Sequence, residues 1–243
     1  MINEPALIVS NDFQNAWLEV VKQLMASSWE LRNLVVHIKN PTLLDQTFHD
    51  KMEAFARAQG ILGPKHVAYT IFPHRLYDRK GNAVGLFTAY NRPRGLFDRI
   101  KTGWGTYFRR MTSYQGADGT VNQLANIISA IRNRENLSRA AYTLVIQTPG
   151  GETVRPQGGP CLNYIAVQAE PNQTHRPISL GLLAVYRNHD FLERAYGNYW
   201  GLCNLLRFLA KEVGGAPGPF TCVSSHAYVS GKKSALRTLV AGI

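Results

Sequence analysis

Acidic residues are scarce. The 243-residue chain carries 16 Asp and Glu against 27 Lys and Arg, a formal charge of +11. This imbalance favours anionic partners: nucleic acid, a nucleotide phosphate or a polyglutamylated cofactor. The basic residues are scattered, with local concentrations only around residues 92–101 and at Arg109 and Arg110. No stretch has the density of a nucleic-acid-binding tail, so nucleic acid is left open as a partner without being favoured. Cysteine is also sparse. The three present, Cys161, Cys203 and Cys222, are odd in number and widely spaced, which excludes a disulfide framework and a CxxC metal pair. No metal and a reducing, cytoplasmic setting are therefore expected. An apolar run of about eighteen residues, as a membrane span requires, is absent. The opening MINEPALIVSNDF lacks the basic and apolar regions of a signal peptide. Hydrophobic residues at 45% and charged ones at 18% describe an ordinary globular chain. No repeat, low-complexity tract or linker divides it, so one α/β domain over residues 1–243 is expected.

Hydrophobic spacing gives the elements. NDFQNAWLEVVKQLM (11–25) puts Phe13, Trp17, Val20, Val21 and Leu24 on one helical face, with Asn11 or Asp12 as cap. LVVHI (34–38) reads as a strand, FHDKMEAFARAQG (48–60) as a helix ending on Gly60, and HVAYTIF (66–72) as a second strand. Residues 73–119, rich in Gly and Pro, read as long connections with short helices, and such length in a compact domain usually serves function. A helix follows at 121–133. Strands are expected at 141–147, 164–168, 178–187 and 220–224, several apolar on both faces, with an apolar helix at 196–215 stopped by Gly214-Gly215.

Polar residues then appear where a purely structural chain would not need them. GGPCLNY (158–164) sets Cys161 behind a Gly-Gly-Pro turn at the head of a buried strand. It is either an apolar residue opening that strand or a nucleophile presented by the turn. The stretch RNHDFLERAYGN places Arg187, Asp190 and Asn198 between a buried strand and a buried helix, and SSHAYV places His226 and Tyr228 beyond another strand. Strand ends are where open α/β sheets bind ligands. Each residue has a plain alternative. Arg187 and Asp190 can form a local ion pair, Asn198 can cap a helix beginning at Tyr199, and His226 can be a satisfied interior histidine.

Taken together, Cys161 before a strand, Arg187-x-x-Asp190, Asn198 and His226-x-Tyr228 resemble the thymidylate synthase and pyrimidine nucleotide hydroxymethylase superfamily in order and in spacing. The resemblance covers about residues 104–230. It implies a three-layer α/β fold with a large mixed sheet that packs against its copy in a homodimer. It also implies C5 one-carbon transfer to a pyrimidine nucleotide, most simply dUMP, with 5,10-methylenetetrahydrofolate. Cys161 would add to C6 of the ring, making C5 nucleophilic. Arg187 would favour the thiolate and grip the phosphate. Asn198 would offer donor and acceptor to the N3–C4 edge, favouring uracil. His226 and Tyr228 would hold the sugar, and Asp190 the pterin. Tyr107, within GTYFRRM, would orient a water or the proton leaving C5, and Glu53 would assist proton transfer. Arg139, in SRAAYTLV, would reach the partner subunit's phosphate; the family's second arginine is Ala140 here. Arg32 would stand in for the family's mobile phosphate-binding arginine.

The chain also departs from the family. Pro160-Cys161-Leu162 replaces Pro-Cys-His, a change nearer the hydroxymethylases. Residues 61–100 lack the segment with a folate-stacking tryptophan, which leaves Trp104 as its substitute. The family's last strands and folate-closing tail do not follow His226-x-Tyr228. Without closure, water would compete with hydride at the exocyclic methylene, so a hydroxymethyl product is expected. Two other readings remain: an enzyme acting on an unusual pyrimidine nucleotide, and a non-catalytic nucleotide- or RNA-binding protein on the same fold.

Overall fold

The computed structural model describes residues 4–93, 104–117, 119–133, 141–148, 158–171 and 178–243. Strand β1 (Leu7–Ser10) leads into helix α1 (Phe13–Ala26), whose first N–H groups are taken up by the Asp12 carboxylate. Strand β2 (Glu30–Ile38) follows, then α2 (Gln46–Gln59), which closes on Gly60 in the left-handed conformation. Three short helices come next: α3 (Pro64–Ile71), α4 (His74–Lys80) and α5 (Ala83–Tyr90). Then come α6 (Tyr107–Thr112), the small hairpin β3 (Tyr114–Gly116) and β4 (Gly119–Val121), and α7 (Gln123–Arg132). The second half supplies β5 (Tyr142–Val145), β6 (Leu162–Pro171), β7 (Ile178–Tyr186), β8 (His189–Asp190), α8 (Ala195–Val213), β9 (Ala216–Tyr228) and α9 (Lys233–Ala241).

The strands form one mixed sheet in the order β1-β2-β9-β7-β6-β5, with the short β8 also paired to β9. β9 runs parallel to both β7 and β8, and antiparallel to β2. Joining parallel neighbours requires a crossover, and α8 supplies it. Along β7 every second residue, from Ile178 to Tyr186, is buried, and the residues between are half-exposed. The buried row lies against α8, within one apolar cluster that extends from Ile8 to Leu236. Among the described residues, no helix is long and apolar enough to cross a membrane.

The other face of the sheet is less covered. The register aligns Leu7, Val35, Val223, Val185, Tyr164 and Val145 as one row across six strands. All six are half-exposed or exposed. Strands expected to be apolar on both faces are thus buried by helices on one face only.

The expected strand at 66–72 is a helix. Pro64 opens α3, and the Glu53 carboxylate accepts the Lys65 N–H at its first turn. Val67, Ala68 and Ile71 fall on one helical face and pack against α8. The contact is made possible by Gly197 and Gly201, where a Cβ would lie 2.6 Å from Val67 and 2.9 Å from the Ala68 carbonyl. A short apolar run fits strand or helix equally by periodicity, and these long-range contacts decide for helix.

Candidate active site

The parallel strands β7 and β9 end on the same side of the sheet, where β6 begins. A cavity of about 860 Å3 opens there, lined by Cys161 just before β6, by His189 and Asp190 of β8, by Asn198 of α8, and by Tyr228 of β9. Tyr107 and Trp104 close one side, while Lys65, His66, Tyr69 and Thr70 of α3, with Arg75, close another. Strand carboxyl ends in open α/β sheets are habitual ligand sites, and the volume is near the upper end for small-molecule pockets.

Cys161 sits half-buried where the chain enters β6. Its N–H and that of Leu162 donate to the Tyr107 hydroxyl, at 3.2 and 3.4 Å. With both lone pairs used in this way, the Tyr107 O–H is left to act only as a donor. Burial pushes its pKa up to about 12. Burial likewise pushes the Cys161 thiol above its ordinary value, while Arg187, through charge and a hydrogen bond to sulfur, and Arg194 pull it down. Arg187 was expected to give a low-pKa thiol. The desolvation penalty instead exceeds the pull of the guanidinium.

Arg187 also supports the turn that presents the cysteine. Its Nη2 donates to the Gly158 carbonyl at 2.6 Å and its Nε to the Pro160 carbonyl at 3.2 Å. Gly158 and Gly159 both have positive φ, which allows the chain to fold under the guanidinium. Cys203 and Cys222 are fully enclosed, and burial raises both thiols, that of Cys222 to about 12.

Asn198 does not cap a helix beginning at Tyr199, because α8 starts at Ala195 and places it within the first turn. Its side chain is buried, and Nδ2 lies 3.1 Å from Nε2 of His189. Asp190 accepts the Leu192 N–H at 2.9 Å and lines the cavity. Tyr228 faces the cavity as well, and burial raises its hydroxyl pKa. Its ring stacks on His226, which stands behind it between the Asn188 side chain at 3.3 Å and the Glu30 carboxylate at 3.4 Å. Trp104 packs against Tyr107, with the Arg110 guanidinium 5.7 Å from its ring.

Four expected residues are not on the cavity wall: Arg187 is engaged with the Gly158–Pro160 turn, His226 stands behind Tyr228, and Glu53 and Arg32 lie elsewhere. Glu53 is turned onto the start of α3 and the imidazole of His49, 3.8 Å away. Arg32 is exposed beside Glu30. Arg139 lies outside the described residues. The residues missed from sequence are His189, Arg194, Arg75 of α4 and the α3 residues Lys65 and Thr70. His189 stood inside the quoted RNHD stretch, and its position in a buried strand was the available signal. The α3 residues were hidden by the strand reading of that segment.

No family model matches the chain. Four archaeal proteins named "Putative thymidylate synthase" do. The chain is 30% identical to that of Methanococcoides burtonii over 124 residues, 51% of this chain and 52% of that protein. It is 28% identical to that of Methanocaldococcus jannaschii over 127 residues, 51% of this chain and 54% of that protein. For Methanosarcina mazei the figures are 29% over 124 residues, 51% and 52%. The chain thus matches about half the length of these curated relatives. The resemblance to thymidylate synthases drawn from the sequence is borne out as a divergent relationship.

Proposed function

We propose that this chain is a thymidylate synthase-like enzyme of a single domain, which transfers a one-carbon unit to C5 of a pyrimidine nucleotide, dUMP in the simplest case. The observation that carries this reading is the convergence of Tyr107 of α6, Asp190 of β8, Asn198 of α8, Tyr228 of β9 and Cys161 of the turn before β6 on one cavity. The similarity to archaeal proteins named as thymidylate synthases supports it.

The chemistry assigned to the chain's own residues follows from their surroundings. The Cys161 sulfur bonds to C6, and the C5=C6 electron pair shifts toward the C4 oxygen, leaving C5 nucleophilic. Burial disfavours the thiolate, and Arg187 and Arg194 oppose that penalty, favouring the anion that adds to C6. Arg187 and the Tyr228 hydroxyl would hold the phosphate and sugar, with His226 supporting the Tyr228 ring. Asn198 reads the N3–C4 edge. The Tyr107 O–H orients the water that takes the C5 proton.

The cavity also suits a folate. Its volume exceeds what one nucleotide needs, the Trp104 indole and the Asp190 carboxylate stand at its wall, and Lys65 and Arg75 face it with positive charge. Trp104 and Asp190 would hold the pterin of 5,10-methylenetetrahydrofolate, which when bound supplies the one-carbon unit. Whether methyl or hydroxymethyl is delivered is read from the mass of the released nucleotide.

The half-exposed apolar row from Leu7 to Val145 supports a homodimer of thymidylate synthase type, two sheets packing face to face. The test of the activity is intact-protein mass after incubation with 5-fluoro-dUMP, with and without methylenetetrahydrofolate. An adduct of protein, nucleotide and folate that is lost in Cys161→Ser is expected. Absence of any nucleotide adduct in the folded wild-type protein overturns the reading.

A further inference from the structure

His189 has no role in the reaction described above, yet it is the least exposed of the buried polar side chains that line the cavity. It is 1% exposed, its ring stacks on Tyr186 with centroids 4.0 Å apart and planes 3° apart, and Tyr199 meets it edge-on. Its two nitrogens have one partner each. Nδ1 lies 3.0 Å from the Ser224 hydroxyl, and Nε2 lies 3.1 Å from Asn198 Nδ2. Burial alone lowers the imidazole pKa, to about 3, so the ring is neutral at any physiological pH.

A neutral imidazole has one donor and one acceptor. With Asn198 Nδ2 donating to Nε2, the proton resides on Nδ1 and goes to the Ser224 oxygen. Ser224 can then pass its own hydrogen to the Cys222 sulfur, with which it is hydrogen-bonded. All three side chains are satisfied in this arrangement, and it fixes the Asn198 amide. One Nδ2 hydrogen is spent on His189. The carbonyl oxygen and the second hydrogen remain for the cavity, which Asn198 lines. The reverse tautomer would turn the amide over and give His189 the oxygen instead.

We propose that His189 is the positioning residue for base selection: through its hydrogen bond to Asn198 it presents an acceptor beside a donor, the complement of an N3–H next to a C4 carbonyl. A uracil edge is matched by both groups. A cytosine edge, with an unprotonated N3 beside an amino group, meets the amide the wrong way round. The inference rests on the reading of the cavity as a pyrimidine nucleotide site.

The experiment is calorimetric titration of the full chain with dUMP and with dCMP, for wild type, His189→Leu, His189→Gln and Ser224→Ala. Thermal unfolding of each variant is recorded alongside. Wild type is expected to prefer dUMP. His189→Leu frees the amide and should lower the dUMP-to-dCMP affinity ratio about tenfold, the effect of one misdirected hydrogen-bonding group. His189→Gln, which retains an acceptor toward Asn198, should restore the ratio. Ser224→Ala removes the acceptor of the Nδ1 proton without touching the cavity wall, and should lower the ratio as well. Nitrogen-15 spectra of histidine-labelled wild type should show the Nδ1-protonated tautomer.

A folded His189→Leu with an unchanged ratio overturns the proposal and leaves the pyrimidine site standing. If that variant does not fold, an unchanged ratio in Ser224→Ala overturns it. An Nε2-protonated ring overturns it too. Failure of wild type to bind either nucleotide defeats the pyrimidine reading itself, and the proposal with it.

Discussion

The hydroxyl of Tyr107 lies 3.2 Å from the backbone nitrogen of Cys161 and accepts its N–H, tying α6 to the first residue before β6. The Leu162 N–H, at 3.4 Å, shares the same oxygen. A side chain 54 positions upstream therefore sets the height at which the thiol enters the cavity. Tyr107→Phe leaves both N–H groups without that acceptor. It should cost roughly 1–3 kcal/mol in urea unfolding, the desolvation penalty of buried donors. A variant as stable as wild type would show that the two bonds are replaced.

Cys161 should be the single thiol alkylated in the native protein, because Cys203 and Cys222 are fully enclosed. Burial raises the Cys161 thiol, so its rate with iodoacetamide should still be climbing past the pH at which an ordinary thiol levels off. Arg187 pulls the thiol down, so Arg187→Gln should slow the reaction at pH 8. Equal rates in variant and wild type would remove Arg187 from thiol activation.

Gly197→Ala tests the seat of α3. The new methyl would meet Val67 at 2.6 Å and the Pro64 carbonyl at 2.7 Å. Overpacking of this kind costs about 1–3 kcal/mol, more than alanine gains in helix propensity. The melting temperature should fall, and nucleotide affinity should fall with it, since α3 carries Lys65 and Thr70 on the cavity wall.

His189 should make stability sensitive to mild acid. Its pKa is depressed to about 3 in the folded chain, so below the unfolded value of 6.5 the unfolded chain binds a proton that the native one refuses. Unfolding free energy should therefore fall as pH drops from 6.5 toward 5, at up to about 1.4 kcal/mol per pH unit from this residue. His49 and His74, also lowered by burial, act in the same direction. Urea titrations across that range should be flatter in His189→Gln, and an equal slope would assign the effect to other groups.

The apolar row on the uncovered sheet face gives a prediction about assembly. Sedimentation of wild type should give twice the chain mass. Val223→Glu, at the centre of the row, should give the mass of one chain with its secondary structure intact. A wild-type monomer would count against packing through this face.

Periodicity alone was enough for most elements: α1 through Phe13, Trp17 and Leu24, α2 through its Gly60 stop, and α7 through Leu124, Ile128 and Ile131. Local chemistry is sufficient there, because each face repeats at the helical period and each end carries its own cap. It was not sufficient for α3. HVAYTIF is too short for its pattern to distinguish helix from strand, and the deciding atoms belong to Gly197 and Gly201, more than a hundred residues away.

The same division holds at the site. The sequence by itself determined which side chains could take part: Cys161, Arg187, Asp190, Asn198 and Tyr228 stand at or near strand and helix ends. Tertiary structure decided what each one does. It turned Glu53 onto the start of α3, directed Arg187 to the Gly158–Pro160 turn, and set His189 between Ser224 and Asn198. The physical reason is that a hydrogen-bonding role depends on which partner lies within about 3 Å and on how much water has been removed around it. Spacing along a chain carries neither quantity, and both appear only once β6, β7, β9 and α8 are packed together.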